Sequence, residues 1–179
     1  MIILGVDPGT INCGYAVLEF PQGKTAQRLV SGAISLRLFD NIPDKLFKIF
    51  TELSRIITEF HPRQLSIETA FYGKNVQSAL KIGLARGAAI LAAKQSGLDI
   101  AEYAPREIKK AVTGNGSASK EQVQYMVQTI LNCKSTKFLA DEADAIAAAL
   151  CHSFRSKSSD KKSSNWSDYV NNFPERVIK

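Results

Sequence analysis

The chain predicts an α/β fold, one five-stranded mixed sheet flanked by helices on both faces, and three features of its 179 residues carry that reading. Short apolar runs rich in β-branched residues recur between turn signals, as buried strands do. At Ile42 the apolar spacing changes from strand-like to steps of three and four, the signature of an amphipathic helix. Beyond that point helical and strand-like segments alternate, which sets helices over a sheet.

Ile2 to Val6 is a short apolar strand that leaves the core at Asp7-Pro8-Gly9-Thr10, so Asp7 stands at its carboxyl end. Residues 13 to 20 form a second strand, closed by the Pro21-Gln22-Gly23-Lys24 turn, and 27 to 36 a third, giving an antiparallel meander. Leu46, Ile49, Phe50, Leu53, Ile56, Ile57 and Phe60 make one stripe of a helix that begins at Ile42 and stops at His61-Pro62. Gln64 to Glu68 is a fourth strand, again ending on a carboxylate. From Val76 to Gln95 a second helix sets Leu80, Leu84, Gly87, Ile90 and Leu91 on one side, and Gly83 and Gly87 predict close packing against the sheet.

Asp99 to Tyr103 is a fifth strand, and Pro105 opens a brief helix through Lys109 and Val112. Gly114-Asn115-Gly116-Ser117 is a turn, after which Ser119-Lys120-Glu121-Gln122 reads as a capping box opening a helix to about Leu131. A last helix runs from near Leu139 to Phe154. Residues 1–155 thus form one domain. The Ser/Lys run 156–164 reads as a linker, because it holds too little apolar surface to offset its ordering entropy. Within the tail 156–179, Trp166, Tyr169, Val170 and Phe173 share one face of a short amphipathic helix that could dock on the body or on a partner.

Lys and Arg number 23 against 17 Asp and Glu, a net charge of +6 that admits a polyanionic partner without requiring one. Three cysteines, Cys13, Cys133 and Cys151, with two histidines fit neither a disulfide framework nor a usual zinc site, so a reducing compartment is expected. Neither a secretory signal nor an apolar run near the roughly 20 residues of a membrane span is seen, and the expected location is the cytoplasm.

Four carboxylates form the candidate site. Asp7 and Glu68 end apolar strands, where sheets commonly present chemistry. Asp141 and Asp144 are three apart on a helix slimmed by Ala140, Ala143, Ala147 and Ala148, so they share a face that can lie near a strand edge. Taken singly, each acid is more often a cap or a solvated charge. Gathered together, like charges at 4 Å repel by about 4 kcal/mol at an effective dielectric of 20, and such a cluster needs cations. Hard oxygen ligands suit Mg²⁺ or Mn²⁺, and two ions about 3.5 to 4 Å apart could drive in-line hydrolysis of a phosphodiester.

With these residues in view, the chain resembles the RuvC Holliday junction resolvases of the RNase H-like superfamily over about residues 2 to 154. The resemblance rests on Ile3-Leu4-Gly5-Val6-Asp7-Pro8-Gly9-Thr10 with Gly14-Tyr15, on Ile67-Glu68-Thr69-Ala70-Phe71, and on Ser78 to Gly87. It continues through Tyr103 to Lys109, Gly114 to Lys120, and Asp141-Glu142-Ala143-Asp144-Ala145. It implies an RNase H-like fold in which Asp7, Glu68, Asp141 and Asp144 are the catalytic metal ligands for two Mg²⁺, with Mn²⁺ as a substitute. It also implies a homodimer that binds four-way junction DNA and nicks two strands of like polarity, partnered by a branch-migration motor complex of the RuvA and RuvB type.

By the same resemblance Phe71 stacks on an unpaired base, where stacking is worth roughly 1 to 3 kcal/mol, and Lys109 and Lys120 contact phosphates. Lys74, Lys81, Arg86 and Arg106 are further basic candidates for DNA. The residues after Glu68, Thr69-Ala70, depart from the Gln or Val usual in the family, a change expected to alter packing more than metal chemistry.

Three other readings compete. Asp7-Pro8-Gly9-Thr10 also resembles the phosphate loop of actin-like and sugar-kinase ATPases, but these need a second such domain and 179 residues leave no room for it. A non-cleaving junction binder would have lost a metal ligand, whereas all four acids are present. A general RNase H-like nuclease lacks the Phe71 and Lys109 to Lys120 motifs.

Overall fold

The structure is a computed structural model that describes residues 1–69, 76–133 and 135–162. The candidates Phe71 and Lys74 and the stripe from Trp166 to Phe173 lie outside the described residues. The described chain runs β1 (Ile2–Asp7), β2 (Asn12–Glu19), β3 (Gln27–Ser35), α1 (Ile42–Phe60), β4 (Gln64–Glu68), α2 (Val76–Gln95), β5 (Asp99–Tyr103), α3 (Pro105–Thr113), α4 (Lys120–Ile130) and α5 (Ala140–Lys162).

The strands form one sheet in the order β3-β2-β1-β4-β5, antiparallel through the β1 to β3 meander and parallel across β1, β4 and β5. Local chemistry sets the helix ends. The Asn41 side chain accepts from the Asp44 N–H at the start of α1, and His61 closes that helix in the left-handed region at φ 49°. Ser119 and Gln122 make the expected reciprocal capping box on α4.

Strand alternation divides the core. Leu4, Val6, Cys13, Val17, Leu65 and Ile67 face α1 and α2, whereas Ile3, Ala16 and Leu18 face the layer made by α3, α4 and α5. Gly5, Gly14 and Ser66 lie on the α5 side and form a strip of minimal side chains on which α5 rests. A Cβ on Gly5 would stand 2.1 Å from the Ala145 carbonyl oxygen, and one on Gly14 would stand 1.9 Å from that of Asp141. Ser66 donates its hydroxyl to the Ala148 carbonyl at 2.7 Å.

Two expectations are corrected. The glycines of α2 are not packed on the sheet: a Cβ at Gly83 or Gly87 meets nothing within 4 Å. The buried side of α2 is Ala85, Ala88, Ala89, Ala92 and Ala93, while Leu80, Leu84 and Leu91 are exposed. Alanine permits the closer approach, so the small face turns inward. The last helix also continues beyond Phe154 to Lys162, so the first seven residues of the expected linker are helical backbone. That stretch contains neither Gly nor Pro, and a helix already nucleated extends at little cost.

By length and composition α2 could cross a membrane, with a mean hydropathy of 1.2 over its best window, although Lys81, Arg86 and Lys94 interrupt it. Cys13, Cys133 and Cys151 are all free thiols.

Candidate active site

Period-two geometry brings the acids to one place. Gly5 and Asp7 on β1, and Ser66 and Glu68 on β4, share the face beneath α5. The β1–β4 register pairs Gly5 with Ser66 and Val6 with Ile67, so Asp7 and Glu68 follow side by side at the carboxyl edge. On α5, Asp141, Asp144, Ala145 and Ala148 recur at helical spacing along the side turned to the sheet. Asp141 is anchored twice: its backbone abuts Gly14, and its Oδ2 accepts from Asn12 Nδ2 at 3.0 Å.

The four acids sense one another. Burial first, then the charges of Glu68, Asp144 and Asp141, push the Asp7 carboxyl up to about 8, against an opposing pull from Lys120. Burial and Asp144 raise Glu68 to about 7, with Lys120 and Lys109 pulling the other way. Asp144 is also raised, by burial before Asp141, although Lys120 Nζ lies 3.4 Å from its Oδ2 and favours the charged form. Asp144 in turn raises Lys120. Cys13, buried below the site, is pushed up to about 12 by burial and then by Asp7.

This is a region of concentrated negative charge built from hard oxygen donors, and its chemistry fits a divalent cation. Among the described residues no three His, Cys, Asp or Glu side chains are arranged to hold an ion as they stand. Asp141 is held by Asn12 and Asp144 by Lys120.

The basic candidates separate. Lys109 and Lys120 join the site, since Glu68 and Asp144 feel both. Arg86 instead forms an ion pair with Glu102 on β5, and Arg106 packs against Gly116 beneath the Gly114 to Ser117 turn. Lys81 is exposed on α2, across the sheet from α5. Thr69 donates its backbone N–H to the Tyr103 carbonyl at 2.9 Å and continues the β4–β5 ladder past Glu68.

Two contributors were missed in the sequence, Asn12 and Glu142. Asn12 is polar at the start of a strand whose next six residues carry no charged side chain, a signal that could have been used. Glu142 lies between the two site acids but off the face they share, so its spacing gave no reason to assign it a role.

A five-stranded sheet in this order, with acids on its two central strands and on the helix crossing them, defines the RNase H-like class. Residues 3–152 match the family model of crossover junction endodeoxyribonuclease RuvC. The chain is 45% identical over 183 residues to the RuvC of Porphyromonas gingivalis, covering 98% of this chain and 96% of that one. It is 50% identical over 151 residues to the RuvC of Shewanella amazonensis, covering 84% and 86%. A solved structure of Thermus thermophilus RuvC in complex with Holliday junction substrate superposes with a TM-score of 0.82 at 29% identity, covering 89% and 96%. The chain belongs to the RuvC family, and its activity class is that of a metal-dependent nuclease.

Proposed function

We propose that this chain resolves Holliday junctions, hydrolysing one phosphodiester in each of two strands of like polarity, in recombination and DNA repair in the cytoplasm. The observation that carries the reading is the gathering of Asp7, Glu68, Asp141 and Asp144 under a single field, with Lys109 and Lys120 at its rim.

In this reading the four acids hold two Mg²⁺, which Mn²⁺ can replace, and the metal supplies an activated water and charge stabilisation at the leaving 3′ oxygen. Asp7 and Glu68 are fixed by the central strands, whereas Asp141 and Asp144 are set by the start of α5. Lys120, now paired with Asp144, and Lys109 draw the scissile phosphate into the acidic site. Phe71 stacks on an unpaired base in this reading, and Lys74, Lys81, Arg86 and Arg106 are further DNA contacts, Arg86 being paired with Glu102 in the free protein.

Symmetric nicking needs two copies. The homodimer reading rests on the exposed apolar side of α2, Leu80, Leu84 and Leu91, beside the exposed Phe47 of α1. A branch-migration motor complex of the RuvA and RuvB type delivers the junction.

The test is cleavage of a synthetic four-way junction beside a linear duplex of the same sequence. Paired nicks on the junction are expected with Mg²⁺ and none without it. Asp7→Asn should lower the rate by roughly 1000-fold, the several kcal/mol of charge stabilisation that a metal supplies, while junction binding is kept. Equal cutting of duplex and junction would replace resolution with general nuclease activity.

A further inference from the structure

Glu142 stands between two site acids yet turns away from them. Among the described residues it is the one buried charged side chain, 8% exposed, and its carboxylate is engaged on both oxygens. Oε2 accepts the backbone N–H of Leu139 at 3.1 Å, capping the start of α5. Oε1 accepts the Ser31 hydroxyl at 2.6 Å, and Ser31 in turn accepts from Arg28 Nη1 at 3.0 Å. Arg28 lies 3.9 Å from the same Oε1 and places its guanidinium 5.6 Å from the centre of the Phe138 ring, just before α5.

Arg28 and Ser31 belong to β3, one of the two edge strands of the sheet. They therefore tie the first turn of α5 to a strand that carries no site acid. That turn also rests on Gly14 and is tied to Asn12, so its position is fixed from two strands. Asp141 precedes Glu142 directly and Asp144 follows within one turn, so freedom at Glu142 is freedom at both.

We propose that Glu142, Ser31 and Arg28 form a clasp that positions Asp141 and Asp144 for divalent metal, with Glu142 acting as a positioning residue. This rests on the active-site reading above and deepens it. Partners behind metal ligands commonly set affinity by 10- to 100-fold, and this clasp reaches the ligands through the helix backbone.

The experiment measures Mn²⁺ binding to the free protein by calorimetry and by the EPR signal of unbound ion, with thermal unfolding recorded without metal. Glu142→Ala should weaken Mn²⁺ binding roughly 10- to 100-fold, and Ser31→Ala about 10-fold. Glu142→Gln should keep most of the affinity, because its amide oxygen still accepts from Leu139 and its NH₂ can donate to Ser31. Junction cleavage by Ser31→Ala should need more Mg²⁺ and recover at saturating metal, a shift in requirement rather than in kcat.

Unchanged Mn²⁺ affinity in Glu142→Ala and Ser31→Ala, whatever happens to the melting temperature, would overturn the proposal and leave a helix cap. Should Glu142→Ala fail to fold, Ser31→Ala and Arg28→Gln decide by the same criterion. Asp7→Asn separates the two readings. If it loses Mn²⁺ while the clasp variants do not, the clasp fails and the active site stands. A wild-type protein that binds no Mn²⁺ overturns the active-site reading, and the clasp with it.

Discussion

α2 and α5 are both alanine-rich helices laid on one sheet, one on each face, and they meet it in opposite ways. α5 lies so close that the strands beneath it carry Gly14, Gly5 and Ser66, and it is itself covered by α3 and α4. α2 buries a strip of alanines, leans on α1, and leaves Leu80, Leu84 and Leu91 in the open. A helix proposed to deliver ligands has to be held within a fraction of an ångström, and α5 is held by backbone contact and paired side chains. A helix with a second apolar side needs only enough burial to stay folded on the body, and α2 leaves that second side in the open, where the proposed second copy would sit.

The sharpest way to break this contrast is on the α5 side. Gly14→Ala places a methyl 1.9 Å from the Asp141 carbonyl oxygen, and the neighbour is backbone, so α5 itself has to shift. The expected loss is about 3 kcal/mol or more, the upper end of overpacking costs, read as a lower urea midpoint. Mn²⁺ affinity should fall with it, because the shifted turn carries Asp141 and Asp144, two of the proposed ligands. Wild-type stability in Gly14→Ala would show that α5 floats above the sheet and that the close approach is not what places its acids.

Much of this was legible in the sequence, and what was not has physical reasons. Asp7 and Glu68 could be read because a strand's apolar run stops abruptly at the acid. The inward side of α2 could not, because Leu80, Leu84 and Leu91 and the alanines Ala85, Ala88, Ala89 and Ala92 both recur at helical spacing. Periodicity marks two apolar sides there and does not say which one a sheet prefers; the distance between helix and sheet decides for the smaller. Glu142 was hidden because its partner Ser31 is 111 residues away, a pairing that only the β3–α5 contact creates. The end of α5 was misplaced because composition reports what a segment can bury, whereas a helix can extend without burying anything.

On the α2 side the informative change is Leu84→Asp. The residue is 43% exposed, so the fold should lose no more than about 0.5 kcal/mol. Association should be lost, because a charge would sit in the centre of the apolar strip. Sedimentation velocity is expected to show a dimer for the wild type and a monomer for the variant. Its cleavage of a junction should turn from paired nicks to single ones. A variant that stays dimeric would move the interface off α2.

The smallest effect separates the two helices most cleanly, because the same chemical change has opposite signs on them. Gly87→Ala adds the methyl that Gly14 cannot accept, at a site where it meets nothing within 4 Å. Alanine holds a helix better than glycine by roughly 0.8 to 1 kcal/mol, so the variant should gain about that much in urea denaturation. Measuring it in the Leu84→Asp background removes association from the result. If the gain there shrinks or reverses in the otherwise native chain, the difference measures how near a second copy brings its own atoms to Gly87. A loss in both backgrounds would mean that α2 packs more closely on the body than its open glycines indicate, and the contrast with α5 would fall.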